Sequence, residues 1–338
     1  MKGSMYMGAA PIKSELVSSY LDRFPEAQSM TIARKIYGEN KLLFKDVEAV
    51  RSVVRMLRNK MGASHSHEIK NKTHYNDQPK KIIVPSSMSK PWAPFVLPKG
   101  RWGILADIHF PYHDRRALEA AVNDILKENC TGVLINGDGM DFYGASKFNR
   151  VPNQKTIRQE IQMMLKFLKD LGLPVVYKAG NHEKRLADFV CLKAMELFDL
   201  PTIHLPYLLQ HGVEKEPMTN PIDITYIDPN RVIYSNHLTF YHGHEYGGMT
   251  NSPVNPARSA FVKSSRIVSV AHEHRPSENT VTDIRGKLIT TWSSGCLCGL
   301  HPDWKPLNQW GHGHAIHDNR DPHNWTYTNK RIYNGRVM

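Results

Sequence analysis

A chain of 338 residues, 41% hydrophobic and 22% charged, has close to ordinary globular composition and is long enough for one large domain plus a small one. The apolar runs around Ile104 and Leu134 are far short of the ~20 residues that a bilayer span needs. The Met-Lys-Gly-Ser start lacks an apolar signal core, so the expectation is a soluble cytoplasmic protein with no membrane partner.

The formal charge of +12 points to a polyanionic partner. Residues 1–98 hold 16 Lys and Arg against 8 Asp and Glu, and the other 240 hold 28 against 24, so +8 of the excess lies early in the chain. Cys130, Cys191, Cys296 and Cys298 lack the paired spacing of structural zinc and are read as reduced, buried small residues.

Residues 1–62 read as a helical module. A first helix runs from Glu15 and stops at Arg23-Phe24-Pro25, because the residue before proline is pushed out of the helical region. Ser29-Met30-Thr31 is the expected cap of a second, with Ile32, Ile36 and Tyr37 on its apolar side. A third starts near Asp46, carries Val47, Val50, Val54 and Leu57 on one face, and ends at Gly62. Arg51, Arg55 and Arg58 form a basic stripe rotated about 100° from that face. The stripe has two readings: the DNA-binding helix of a helix-turn-helix-like module, or the solvated face of a helical appendage.

Residues 63–98 read as a linker, extended at Lys90-Pro91-Trp92-Ala93-Pro94. From Gly100 strands and helices alternate: strand Trp102–Ala106, helix Arg116–Glu128, strand Gly132–Ile135, helix Thr156–Leu171 and strand Pro174–Lys178. That rhythm predicts an α/β sheet whose working residues lie beyond strand C-termini. Strands dominate afterwards, at Asp223–Ile227, Arg231–Tyr234, Leu238–Tyr241, Ile267–Val270 and Lys287–Trp292. No glycine-rich dinucleotide or nucleoside-triphosphate loop is present.

Five strand ends deliver a hard or borderline metal ligand: Asp107-Ile108-His109, Gly137-Asp138, Gly180-Asn181-His182-Glu183, His242-Gly243 and His272-Glu273-His274. Carboxylate, imidazole and amide oxygen together suit Mn²⁺, Fe or Zn²⁺. A carboxylate such as Asp138 can bridge two cations ~3.5–4 Å apart, a spacing that clamps a phosphoryl group.

These motifs resemble the calcineurin-like metallophosphoesterase family over about residues 100–338, with Ala271 where the family usually has glycine. The resemblance implies two mixed β-sheets packed as a sandwich and flanked by helices, an α/β (α+β) class. It implies one cation held by Asp107, His109, Asp138 and His274, and a second by Asp138, Asn181, His242 and His272. Mn²⁺ is the first expectation, with Fe, Zn²⁺ or Ni²⁺ as alternatives. His182 would stand near the leaving group, with Asp141 orienting it. His244 is the alternative to His242. Gly311-His312-Gly313-His314 imitates the last motif but follows Ser293-Ser294-Gly295, which in the family lies after that motif. His113, His301 and Arg275 are candidate pocket residues, and Tyr143, Ser146 and Arg185 candidate phosphate contacts.

The expected function is a metal-dependent phosphodiesterase acting on nucleic acid, with Arg51, Arg55 and Arg58 binding phosphates. The alternative is a phosphatase or phosphodiesterase of small molecules or phosphoproteins whose N-terminal module is regulatory. A non-catalytic metal-stabilised binding protein is a third reading.

Overall fold

The computed structural model describes residues 9–58, 84–89, 91–147, 155–213, 222–247 and 254–338. The chain divides into two compact units, Met1–Lys90 and Pro91–Met338. Among the described residues no helix is long and apolar enough to cross a membrane.

In the first unit, helices α1 (Ala9–Arg23), α2 (Ser29–Glu39) and α3 (Val47–Leu57) enclose Val17, Ile32, Ala33, Ile36, Phe44, Val50 and Val54. Asp46 caps α3 by accepting from Ala49 N at 2.7 Å, which satisfies an amide that the first turn leaves without a partner. At α2 the expected cap is displaced by one residue. Gln28 occupies the cap position without a side-chain bond, and Ser29 is already helical. Helix α3 ends at Leu57, and the expected stop at Gly62 and the linker residues 63–83 lie outside the described residues.

The basic stripe is partly consumed inside the module. Arg58 donates to Ala27 O at 2.7 Å, Pro25 O at 3.0 Å and Ser29 Oγ at 3.3 Å, tying the end of α3 to the α1–α2 turn. Arg51 pairs with Glu48 one turn earlier at 3.1 Å. A guanidinium with several donors in a fixed fork suits closure of a turn, and helical periodicity alone does not reveal such use.

The second unit is a sandwich. One seven-stranded sheet has the order β13 (Arg336–Val337), β12 (Thr326–Tyr333), β11 (His312–Asp318), β2 (Arg101–Leu105), β3 (Gly132–Asn136), β4 (Val175–Lys178), β5 (Ile224–Ile227). The other has six, in the order β1 (Phe95–Val96), β6 (Ile233–Ser235), β7 (Leu238–Phe240), β8 (Val268–Val270), β10 (Leu288–Ser294), β9 (Pro276–Thr282). Strands β2 to β5 run parallel, as do β7, β8 and β10, while β9, β11 and β12 join antiparallel. Strand β1 pairs with β6, so part of the stretch read as linker is an edge of this sheet.

Alternation along each strand divides its side chains between two cores. Trp102, Ile104, Leu134, Val176 and Ala315 meet Ile233, Leu238, Phe240 and Trp292 between the sheets. Leu105, Val133, Ile135, Val175 and Tyr177 face the opposite way, toward α4 (Arg115–Lys127) and α5 (Ile157–Leu171). Burial on both faces is why these strands read as continuous apolar runs. Thr156 and Gln159 close a capping box at the start of α5.

Helix α4 approaches β2 at Gly103, where a Cβ would stand 2.5 Å from Ile125 Cδ1. Ile125 is wholly buried there. We expect Ile125→Ala to lower the unfolding free energy by about 2–5 kcal/mol, seen as a lower urea midpoint at unchanged slope. A loss under ~1 kcal/mol would show that the helix does not depend on this packing.

Candidate metal centre

The parallel strands β2, β3 and β4 end side by side, and so do β7 and β8 in the facing sheet. Just beyond these ends stand Asp107 and His109, Asp138 and Asp141, Asn181 and His182, then His242, and His272 with His274. Asn181 and His182 open α6 (Asn181–Lys193). Convergence of strand C-termini from two sheets therefore gathers residues that lie up to 167 positions apart.

The backbone here is bent into conformations that L-residues rarely adopt. Asp107, His109, Asp138, His272 and His274 have φ of 50°, 53°, 52°, 69° and 58°. Left-handed residues other than glycine cost free energy and persist where the surroundings over-determine them. The surroundings do so here: His109 N donates to Asp138 O, Asp107 N to Gly137 O, Leu297 N to Asp107 O and Gly311 N to His274 O. Two glycines admit the close packing. A Cβ on Gly137 would lie 2.2 Å from His242 Nδ1, and one on Gly180 2.2 Å from Asp138 Oδ1.

The side chains form one continuous cluster. His242 Nε2 is 3.1 Å from Asp138 Oδ2, His274 Nε2 is 3.2 Å from Asp107 Oδ1, and His109 Nε2 is 3.8 Å from both carboxylates. Ligand atoms of Asp107, His109 and Asp138 lie within 4.8 Å of one another, as do those of Asp138, His242 and His272. Asn181 opens α6 with its amide oxygen buried, beside His182, whose backbone N–H donates to Asp138 Oδ1 at 2.9 Å.

This cluster fits two cations. Asn181 Oδ1 is buried with no hydrogen-bond partner, and Asp107 Oδ1 and His242 Nε2 are buried facing only the imidazole of His274 and the carboxylate of Asp138, a donor set that a coordinated ion would satisfy. His109 Nε2 and His274 Nε2 face each other at 3.3 Å inside the cluster, where either ring can offer its Nε2 to a cation once deprotonated. Their outer nitrogens are already held. His242 Nδ1 donates to Asn136 O at 2.8 Å, and His109 Nδ1 lies 3.0 Å from Asp141 Oδ1, so each Nε2 lone pair points inward. His274 Nδ1 backs onto Cys298 Sγ at 3.7 Å. Bonding to Cys296, with burial, keeps the Cys298 thiol protonated.

Without cations the charges compensate one another. Burial pulls the His242 and His274 pKa values down, but Asp138 and Asp107 outweigh it and hold both at about 9. Burial likewise opposes ionisation of Asp107, and the facing His274 and His109 reverse it, keeping the carboxyl below its usual range. His272 is pushed down to about 4 by burial and by His242.

Asp141 lies 3.0 Å from Nδ1 of both His182 and His109, so one carboxylate orients a metal-site histidine as well as its expected partner. Arg185 donates to Asp141 O at 2.8 Å and stands 2.9 Å from His182 Nε2. A guanidinium has no acceptor, so His182 Nε2 receives that bond and the neutral ring carries its proton on Nδ1.

Sequence reasoning missed the two carboxylates that hold the loops. Glu183 accepts from Asp138 N, Met140 N, Gly180 N and Tyr177 Oη at 2.8–3.0 Å. Glu245 accepts from His242 N and Gly243 N and pairs with the fully buried Lys178 at 2.7 Å, its pKa, raised by burial, being driven down to about 2 by Lys178. The motif Gly180-Asn181-His182-Glu183 carried a signal for the first. A lysine inside the apolar strand Pro174–Lys178 was the signal for the second.

Other candidates fall elsewhere. His312 and His314 lie on β11, bonded to Cys298 O and Asp124 respectively. His244 stands beside His242 but outside the cluster. His301 is exposed and bonded to Pro306 O. His113 packs against Phe110. Arg275 follows His274, and Tyr143 and Ser146 follow Asp141 on a 3-10 turn. Cys130, Cys296 and Cys298 are buried free thiols, whereas Cys191 is exposed, because α6 turns that side outward.

No protein-family model matches the chain, and no curated protein does. Among solved structures it is similar to a single mutant of Vps29 from Entamoeba histolytica, with TM-score 0.35 and 11% identity over 70% of this chain and 96% of that one. It is also similar to Yfce, a phosphoesterase from E. coli, with TM-score 0.34 and 11% identity over 70% and 96%. A dimetal phosphatase from Danio rerio gives TM-score 0.30 and 13% identity over 64% and 92%.

Two outcomes follow for the metal-free protein. Because folded His242 and His274 titrate near 9 against about 6.5 when unfolded, their stabilisation is complete below pH 6.5 and is lost as pH rises through 9. Ligation needs the neutral rings, so Mn²⁺ uptake should expel protons below pH 9, and affinity should rise with pH over that window. Calorimetry in two buffers of different ionisation enthalpy measures the protons released, and a value of zero at pH 7 would refute the assignment. Asp138→Asn should weaken uptake at both sites, whereas normal binding of two ions would remove Asp138 from its bridging place.

Proposed function

We propose that this protein is a metal-dependent phosphoric ester hydrolase of the calcineurin-like kind. The observation that carries the reading is the buried convergence of Asp107, His109 and Asp138 with His242 and His272, with the His274 ring facing His109 at 3.3 Å. Two divalent cations held there, Mn²⁺ being the first to try, would neutralise phosphoryl oxygens and make hydroxide available near neutral pH.

The chain's own contribution is to position and to move a proton. Asp141 holds His182 through Nδ1, so Nε2 is the atom available to the departing oxygen. Arg185 occupies that atom in the free protein, and an anionic substrate oxygen would draw the guanidinium away and release it. His182 Nε2 then takes up a proton from solvent and gives it to the leaving alkoxide as the P–O bond breaks, which returns the ring to its neutral form. His182→Ala should keep its metals and lose about 10²–10⁴-fold in rate on esters with poor leaving groups, and less on p-nitrophenyl esters. Equal losses on both would exclude a leaving-group role.

For the substrate we favour a nucleic-acid diester, supported by the +8 charge of residues 1–98. The engagement of Arg51 and Arg58 within their own module favours the second reading, a small-molecule or phosphoprotein ester with a regulatory module. Turnover of bis-p-nitrophenyl phosphate, p-nitrophenyl phosphate and single- and double-stranded DNA with Mn²⁺ separates these. If Arg51 and Arg55 neutralise duplex phosphates, replacing both with Gln should flatten the log–log salt slope by about 0.9 for each phosphate no longer neutralised. An unchanged slope would leave the second reading in place.

A further inference from the structure

Residues 299–311 form a loop anchored at one end to the segment after His109 and at the other to His274. Gly299 N donates to Tyr112 O at 2.8 Å and Gly311 N to His274 O at 2.9 Å. Inside it Asn308 accepts from Trp310 N and donates to Leu300 O and Lys305 O. A loop with joined ends and its own internal bonds is a compact omega-type loop, a frequent carrier of function.

What this loop presents is unusual for a surface. Trp310 packs against the ring of the metal-site residue His274, centroids 4.1 Å apart, and Trp304 meets Trp310 at 5.6 Å and 64°. Trp304 is 74% exposed, although a tryptophan is ordinarily among the better-buried residues. Lys305 Nζ lies 5.7 Å from the Trp310 ring centre, within reach of both the ring and an anion beside it.

We propose that Trp304, Lys305 and Trp310 are a stacking platform for the nucleobase of a nucleotide ester whose phosphate occupies the metal centre. The proposal rests on the phosphoesterase reading and names its substrate class. A flat aromatic face, a cation and a phosphoryl site on one side of the protein match the three parts of a nucleotide, and stacking accepts any base because every base has a π-face. An apolar partner would use the tryptophans but not the cation, and an inorganic or sugar phosphate would use the cation but not the rings.

The test uses the full chain loaded with Mn²⁺ and two readouts. By calorimetry, thymidine 5′-monophosphate should bind about 5- to 150-fold more tightly than deoxyribose 5-phosphate, the range of one base stack. Trp304→Ala should remove most of that difference and Trp304→Phe restore part of it. In turnover, the wild-type kcat/KM ratio of thymidine 5′-(p-nitrophenyl phosphate) to methyl p-nitrophenyl phosphate should exceed one and fall toward one in Trp304→Ala. Equal binding of the two monophosphates, or a ratio unmoved by Trp304→Ala, overturns the platform. Base-dependent binding without cleavage of either ester leaves the platform standing and sinks the hydrolase reading. A thymidine tetranucleotide binding more tightly than the mononucleotide identifies a strand as the source of the base, and equal binding a free nucleotide.

Discussion

The site depends on one buried carboxylate. Glu183, near the start of α6, receives three backbone amides and a tyrosine hydroxyl. Two amides belong to the loop after β3 and one to the residue before α6, so a single side chain sets the distance between Asp138 and Asn181. A buried carboxylate left unpaired would be far costlier than one that satisfies four donors, which makes this loop arrangement the low-energy one. Glu245 does the same work in the facing sheet, holding the amides of His242 and Gly243 while Lys178 reaches it from β4. That ion pair links the two halves of the sandwich behind the cluster.

With the loops so fixed, the five left-handed ligand residues become explicable. Each takes a conformation that extended strand geometry would not give, and each is bonded to a neighbouring loop: Asp107 to Gly137 and Leu297, His109 to Asp138, His272 N to Asp107 Oδ2 and His274 to Gly311. The left-handed turns set His272 against Asp138 and His242, and His274 against His109, where regular alternation would have left them on one face spread along the strand. The resulting concentration of carboxylates and imidazoles is electrostatically tolerable in a metal-free chain only through the mutual shifts of Asp107, Asp138, His242 and His274. Pre-ordered ligands with lone pairs directed inward are what a rapidly filled cation site requires.

Much of the candidate metal centre was legible in the sequence because the residues proposed to hold its cations are local to strand ends. Asp107, Asp138, Asn181, His242 and His272 each follow an apolar run within a few residues, and such runs mark buried strands whatever their partners are. The helices α4 and α5 were legible for a similar reason, since amphipathic period and capping residues are properties of a few turns of chain. Tertiary structure alone decided the rest. Which runs become neighbours, and that Phe95–Val96 forms an edge strand, are settled by long-range pairing that no local pattern encodes. Strands β9, β11 and β12 mix polar residues into their faces, so alternation did not announce them, and His312 and His314 could be placed only once β11 was paired with β2 and β12. Arg58 looked like part of a basic stripe because helical period places it there, while its donors are spent on carbonyls of a distant turn. Arg185 was read only as a candidate phosphate contact, and the Trp304–Trp310 pair had no spacing to mark it, because their contacts with His182 and His274 are created only by the folded chain.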